Sequence, residues 1–95
     1  MSSEIKKVLI FGKDNCQFCE QAVLLSETNK YNFDYKKIGK DVTLEEVQEL
    51  VPVPFRSVPQ IFINDIHVGG FTEFRNYVLE LKEKESELSL DDLDL

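Results

Sequence analysis

Apolar and polar positions change their spacing several times along the chain, and each change marks an element. Val8-Leu9-Ile10-Phe11 is apolar at every position, which predicts a central strand, buried on both faces, over Lys6 to Phe11. Gly12-Lys13-Asp14-Asn15 breaks the run with loop- and cap-type residues, so a helix is expected from about Cys16. Phe18, Ala22 and Leu25 recur at helical spacing, with Cys19 and Val23 beside them, and predict its apolar face. Asn29-Lys30-Tyr31-Asn32 ends that pattern. Phe33 to Ile38 reads as a second, more polar strand nearer a sheet edge. Thr43 stands three residues before Glu46, the spacing of a capping box. The helix it opens runs to about Val51 and is expected to bury Leu44, Val47, Leu50 and Val51. Pro52 and Pro54 stop it and force an extended loop.

Gln60 to Asn64 and Ile66 to Val68 flank the turn-compatible pair Asn64-Asp65 and predict a hairpin, closed by Gly69-Gly70. A last helix is expected from about Thr72 to Lys84, with Phe74, Tyr77, Val78 and Leu81 on its inner face. The order is βαβαββα. A strand–helix–strand unit joined by a right-handed crossover makes its two strands parallel, and the hairpin adds two antiparallel ones. The expected fold class is α/β: a four-stranded mixed sheet flanked by three helices.

Composition adds little to this picture until the charge is located. The 95 residues are 42% hydrophobic and 31% charged, as in ordinary globular proteins, with a net charge of −7. Residues 85–95 hold Glu85, Glu87, Asp91, Asp92 and Asp94 and no base, so the tail carries −5 and residues 1–84 only −2. The chain therefore divides into one domain, 1–84, and an acidic tail, 85–95, expected to fray. Nucleic acid is disfavoured as a partner, because no basic patch is present to meet phosphates. No apolar run reaches the roughly 18 residues of a membrane span. The N-terminal residues lack a secretory signal pattern and two cysteines make no disulfide framework, so a reducing cytoplasm is the expected compartment.

The chemistry lies in Cys16-Gln17-Phe18-Cys19, at the expected strand-to-helix junction. A helix N-terminus presents unpartnered N–H groups and the positive end of the dipole, and both stabilise a thiolate. A free thiol with pKa about 8.5 is roughly 3% ionised at pH 7, whereas one lowered to about 5 is almost fully ionised. Lys13 adds positive charge close by. Cys19 falls one turn further in, where the two sulfurs can meet, so one attacks and the other resolves. Two unrelated core cysteines rarely fall at this spacing and place. Structural zinc would need two more ligands, and His67 is the one histidine in the chain. That histidine reads as an exposed residue of the outer hairpin.

Lys13-x-x-Cys16-x-x-Cys19, Ser57-Val58-Pro59-Gln60-Ile61-Phe62-Ile63 and Val68-Gly69-Gly70-Phe71-Thr72-Glu73, in this order, resemble the glutaredoxin family of the thioredoxin superfamily. The likeness spans residues 6 to 84. It implies a thioredoxin-like fold and a thiol–disulfide oxidoreductase, with Cys16 as nucleophile, Cys19 as resolving thiol and glutathione as co-substrate. It implies a cis peptide before Pro59, presenting the Val58 backbone beside Cys16. Lys13 and Arg56 would hold the glycine-end carboxylate of glutathione and Val58 its cysteine backbone. Gly70, Thr72 and Glu73 would take the γ-glutamyl end, with Phe18 and Ser57 lining the site. No metal and no permanently bound cofactor are implied. The expected partners are glutathione and disulfide-bearing client proteins, with the protein itself a monomer.

Four residues depart from the family pattern. Gln17 replaces the usual proline, Phe18 a tyrosine, Ser57 a threonine and Glu73 an aspartate. Short, acidic-tailed members resemble those of bacteriophages, where ribonucleotide reductase is a common client. Two alternatives stand beside glutathione-dependent catalysis. One is a thioredoxin-like electron donor served by a flavoprotein reductase. The other is an iron–sulfur carrier, disfavoured because Cys19 competes by closing a disulfide.

Overall fold

A computed structural model describes residues 5–93 in backbone and through residue 83 in side chains. The elements are β1 (Val8–Gly12), α1 (Gln17–Thr28), β2 (Phe33–Lys37), α2 (Leu44–Leu50), β3 (Gln60–Ile63), β4 (Ile66–Gly69) and α3 (Phe71–Leu93). They form one four-stranded sheet in the order β2-β1-β3-β4. β1 pairs parallel with β2 and antiparallel with β3, and β3 pairs antiparallel with β4. The mixed sheet and its three helices match the expected fold class.

The all-apolar β1 is central, and the more polar β2 lies at an edge, for the reason its sequence suggests. Successive strand residues face opposite sides, so β1 feeds two cores at once. Val8 and Ile10 join Ala22 of α1, Ile61 and Ile63 of β3, and Phe74 and Val78 of α3 on one face. Phe11 meets Phe62, Val47 and Val51 on the other, where α2 packs. Fully burying such a side chain stabilises by about 1.5–3 kcal/mol. A surface ion pair such as Lys7–Asp34, at 3.6 Å with both partners half exposed, contributes about 0–1 kcal/mol. The cores decide the fold.

Local signals act where they were expected. Thr43 accepts from the Glu46 N–H at 3.0 Å and the Glu46 carboxylate accepts from the Thr43 N–H at 2.9 Å, a complete capping box on α2. Asn64 and Asp65 have φ of 52° and 70°, the pair of left-handed residues that a two-residue hairpin requires. The Asn64 side chain also accepts from the Lys6 and Lys7 N–H groups, tying the turn to the lead-in of β1.

Other expectations need correction. Leu44 and Leu50 were expected in the core but are about half exposed, at 49% and 55%. A helix as short as α2 turns only one narrow stripe inward, and Val47 and Val51 occupy it. Phe18, assigned to the apolar face of α1, is 55% exposed, and the fully buried Ser26 takes an inward position further along. The Ser26 hydroxyl donates to the Ala22 carbonyl at 3.0 Å, which satisfies it inside the core. The backbone of α3 continues to Leu93, past the expected end at Lys84. The acidic tail 85–95, expected to fray, has its side chains and all of residues 94 and 95 outside the described residues.

Candidate active site

Gly12, the last residue of β1, hands the chain to a three-residue loop in which Asn15 adopts φ 55°, a conformation asparagine tolerates better than most residues. The turn delivers Cys16 to the N-cap of α1, with extended backbone angles of −118° and 108°. Its Sγ accepts from the Cys19 N–H at 3.2 Å. That is the bond a serine or aspartate oxygen makes at ordinary N-caps. When the pair is reduced, negative charge on this sulfur therefore faces the open first turn of a helix.

Cys16 and Cys19 form a disulfide, with their Cα atoms 5.2 Å apart. Cys16 is 9% exposed and Cys19 only 1%, so the pair is reached from solvent on the Cys16 side. The Val58–Pro59 peptide is cis, as the family resemblance implied. The Val58 carbonyl oxygen lies 3.9 Å from Cys16 Sγ. The loop before Cys16 is held from β2: the Tyr35 hydroxyl donates to the Lys13 carbonyl at 3.2 Å, and Lys37 pairs with Asp14 at 2.6 Å. That hydrogen-bonded pair, reinforced by its charge attraction, lowers the Asp14 carboxyl below its usual pKa and raises Lys37.

Two depressions meet at Ser57. Lys13, Arg56, Ser57 and Val58 line a groove of about 290 Å³ together with the apolar Ile38, Leu44 and Phe55. Phe18, Ser57, Pro59, Gly70, Thr72 and Glu73 line a second of about 190 Å³, walled by the stacked rings of Phe18 and Phe71 at 6.1 Å. Every residue singled out from the sequence thus lies on one or other depression or at the sulfur pair. Their electrostatics differ at one point from expectation. The Glu73 carboxylate accepts from the Gly70 N–H at 2.8 Å, half of a capping box at the start of α3. The extra methylene of glutamate lets it fold back onto its own helix end.

The sequence reading missed Tyr35 and Gln60, whose roles depend on contacts across strands. It also misjudged His67. The ring is half buried, packs edge-on against Phe62 with centroids 5.2 Å apart, and meets the Gln60 side chain at 2.7 Å. Burial pushes its pKa below the ordinary value, and the Glu73 charge opposes this more weakly. The sign follows directly. Below the unfolded-state pKa of about 6.5 the unfolded chain takes up a proton that the folded one resists, so acid favours unfolding. Urea unfolding is expected to show stability falling as pH drops below 6.5 towards the folded-state value, and His67→Phe to remove that part of the slope. An unchanged slope in the variant would contradict the assignment.

The family model described as Glutaredoxin matches residues 8–68. Glutaredoxin 1 of Escherichia coli K12 is 32% identical over 80 residues, covering 78% of this chain and 94% of that protein. A glutaredoxin of Vibrio cholerae is 35% identical over 79 residues, covering 77% and 91%. Among solved structures, Francisella tularensis glutaredoxin 1 complexed with cacodylate superposes with a TM-score of 0.64 at 30% identity, covering 81% of this chain and 96% of that one. Oxidised E. coli glutaredoxin superposes with a TM-score of 0.63 at 32% identity, covering 76% and 92%. With a helix-capping cysteine bonded to its neighbour one turn away and a cis-proline loop beside it, the chain belongs to the glutaredoxin family and is a thioredoxin-fold disulfide oxidoreductase.

Proposed function

We propose that the protein is a cytoplasmic, glutathione-dependent thiol–disulfide oxidoreductase, acting as a monomer on glutathione mixed disulfides and on client protein disulfides. The observation that carries this reading is the pair of depressions meeting at Ser57, with Lys13 and Arg56 on one and the start of α3 on the other. Glutathione is a tripeptide with a carboxylate at each end and a cysteine between. Lys13 and Arg56 suit the glycine-end carboxylate, and the Val58 backbone suits the cysteine. Phe18, Ser57 and Pro59 line the path to Gly70, Thr72 and Glu73. First-turn N–H groups suit the γ-glutamyl carboxylate, while the Glu73 carboxylate, once swung off the Gly70 N–H, suits the amino group. No helix among the described residues is long and apolar enough to cross a membrane.

The nucleophile in this reading is Cys16. Its thiolate attacks the glutathione sulfur of a mixed disulfide, forming a Cys16–glutathione disulfide, and the client sulfur leaves as a thiolate that takes a proton. A second glutathione thiolate then attacks the bound glutathione sulfur, giving oxidised glutathione and regenerating the Cys16 thiolate. Alkylation of the reduced protein checks the premise. The Cys16 rate is expected to titrate well below 8.5, because the helix terminus favours the thiolate, while Cys19 titrates higher because burial opposes its charge. A single Cys16 titration near 8.5 would overturn the assignment.

Turnover decides the electron source. Activity is expected with glutathione and its reductase and not with a thioredoxin reductase; the reverse would favour the thioredoxin-like reading. Lys13→Ala and Arg56→Ala are each expected to lower kcat/KM for glutathione mixed disulfides by about 1–2 kcal/mol, as for a partly exposed charged hydrogen bond. The loss should shrink as salt rises. Normal turnover by both variants at low salt would remove the proposed clamp. Ribonucleotide reductase is the first client to test. An absorbing cluster after reconstitution with iron and sulfide would instead support the carrier reading.

A further inference from the structure

Gln60 is a polar side chain buried at the start of β3, with 6% of its surface exposed. Both ends of its amide are engaged. Its Nε2 donates to the Ser57 carbonyl at 2.8 Å, and its Oε1 lies 2.7 Å from His67 Nε2 on β4. A backbone carbonyl only accepts, so the nitrogen end of the amide faces Ser57 and the oxygen end faces His67. His67 Nε2 must therefore carry the proton that Oε1 accepts, which selects one tautomer of the neutral ring. Phe62 packs on that ring at 5.2 Å and limits its rotation. The chain of contacts runs from the outer hairpin strand through a buried amide to the residue preceding Val58, whose own carbonyl lies 3.9 Å from Cys16 Sγ.

We propose that Gln60 and His67 form a strut that positions the Ser57–Val58 backbone to receive the substrate. They are positioning residues, not catalytic ones, since neither touches the reacting sulfurs. The inference rests on the reading that the Val58 backbone pairs with the incoming cysteine. Ser57 is exposed and Val58 half buried, and the Ser57 carbonyl shares a peptide plane with the Val58 N–H, so a hydrogen bond on that carbonyl sets the direction in which the Val58 N–H points. Losing the strut costs substrate binding but leaves the Cys16 sulfur at its helix N-cap.

The test compares wild type with Gln60→Leu, His67→Phe and His67→Gln. Each is assayed on a glutathionylated peptide and on a plain peptide disulfide, with Cys16 alkylation by iodoacetamide measured alongside. Gln60→Leu is expected to raise KM on both substrates about five- to tenfold, the effect of one lost hydrogen bond. His67→Phe should raise it less, by about two- to fivefold, because the Gln60–Ser57 bond survives. kcat and the alkylation rate should stay within about twofold of wild type. His67→Gln retains an N–H donor and should restore KM. If Gln60→Leu does not fold, the His67 pair decides the matter. An unchanged KM in folded Gln60→Leu or His67→Phe overturns the strut, as does a loss of kcat and alkylation rate at constant KM. The two substrates separate this proposal from the glutathione reading: if wild type shows no preference for the glutathionyl group, that reading fails, while the plain disulfide still reports on the strut.

Discussion

Replacing Cys16 by serine is expected to abolish every disulfide-reducing activity, whereas replacing Cys19 should remove most of only one. The difference follows from what each sulfur can reach. Cys16 caps α1 beside the Val58 carbonyl and is the more exposed of the two; Cys19 is sealed inside. On a glutathionylated substrate, Cys16 takes the glutathione and a second glutathione from solution releases it, so no internal thiol is needed. On a protein disulfide, Cys16 becomes joined to the client through one sulfur. Release then requires Cys19 to attack the Cys16 sulfur, forming the Cys16–Cys19 bond and freeing the client as a dithiol. The Cα separation of 5.2 Å places the two residues within reach of each other without moving the helix. Cys19→Ser should therefore keep deglutathionylation, lose most protein-disulfide reduction, and accumulate a client-linked species visible by mass. The opposite pattern, with Cys19→Ser inactive and Cys16→Ser active on glutathionylated substrate, would show that the roles are reversed.

The second large effect is expected at a position with no functional group. A Cβ at Gly12 would come within 2.5 Å of the Tyr35 hydroxyl and 2.8 Å of Cys19 Sγ. Real Cβ atoms do not approach so closely, so Gly12→Ala must displace the ring, the sulfur or the end of β1. Overpacking a tight interior typically costs about 1–3 kcal/mol, and here the displaced parts hold the redox pair and, through Tyr35, the Lys13 carbonyl. Gly12→Ala is expected to unfold at lower urea and to shift the Cys16–Cys19 equilibrium in a glutathione redox buffer. Adding Tyr35→Phe removes the nearest oxygen but leaves the ring carbon and the sulfur, each at 2.8 Å, so the double variant should recover only part of the stability. Full stability in Gly12→Ala alone would show that the close approach is not rigid.

Much of what depends on neighbours along the chain was legible in the residues alone. The uniform apolar run of β1 required burial on both faces, and Thr43 and Glu46 capped their helix as their spacing dictated. The paired sulfurs one helical turn apart, and the Ser57-Val58-Pro59 segment by resemblance, identified the chemistry before any contact was known. Periodicity erred where a helix is too short or too near an edge to bury all its apolar residues, as at Leu44, Leu50 and Phe18. Tertiary structure alone decided the rest, because the partners are distant in sequence or compete for one another. Glu73 accepts from the Gly70 N–H within its own first turn, a local contact that competes with a substrate-facing pose of the same carboxylate. His67 is half buried because strand pairing set it over Phe62 and beside a buried amide. Which residues share a strand face can be counted along a sequence; which side chains meet across two strands depends on register, and register is a property of the assembled sheet.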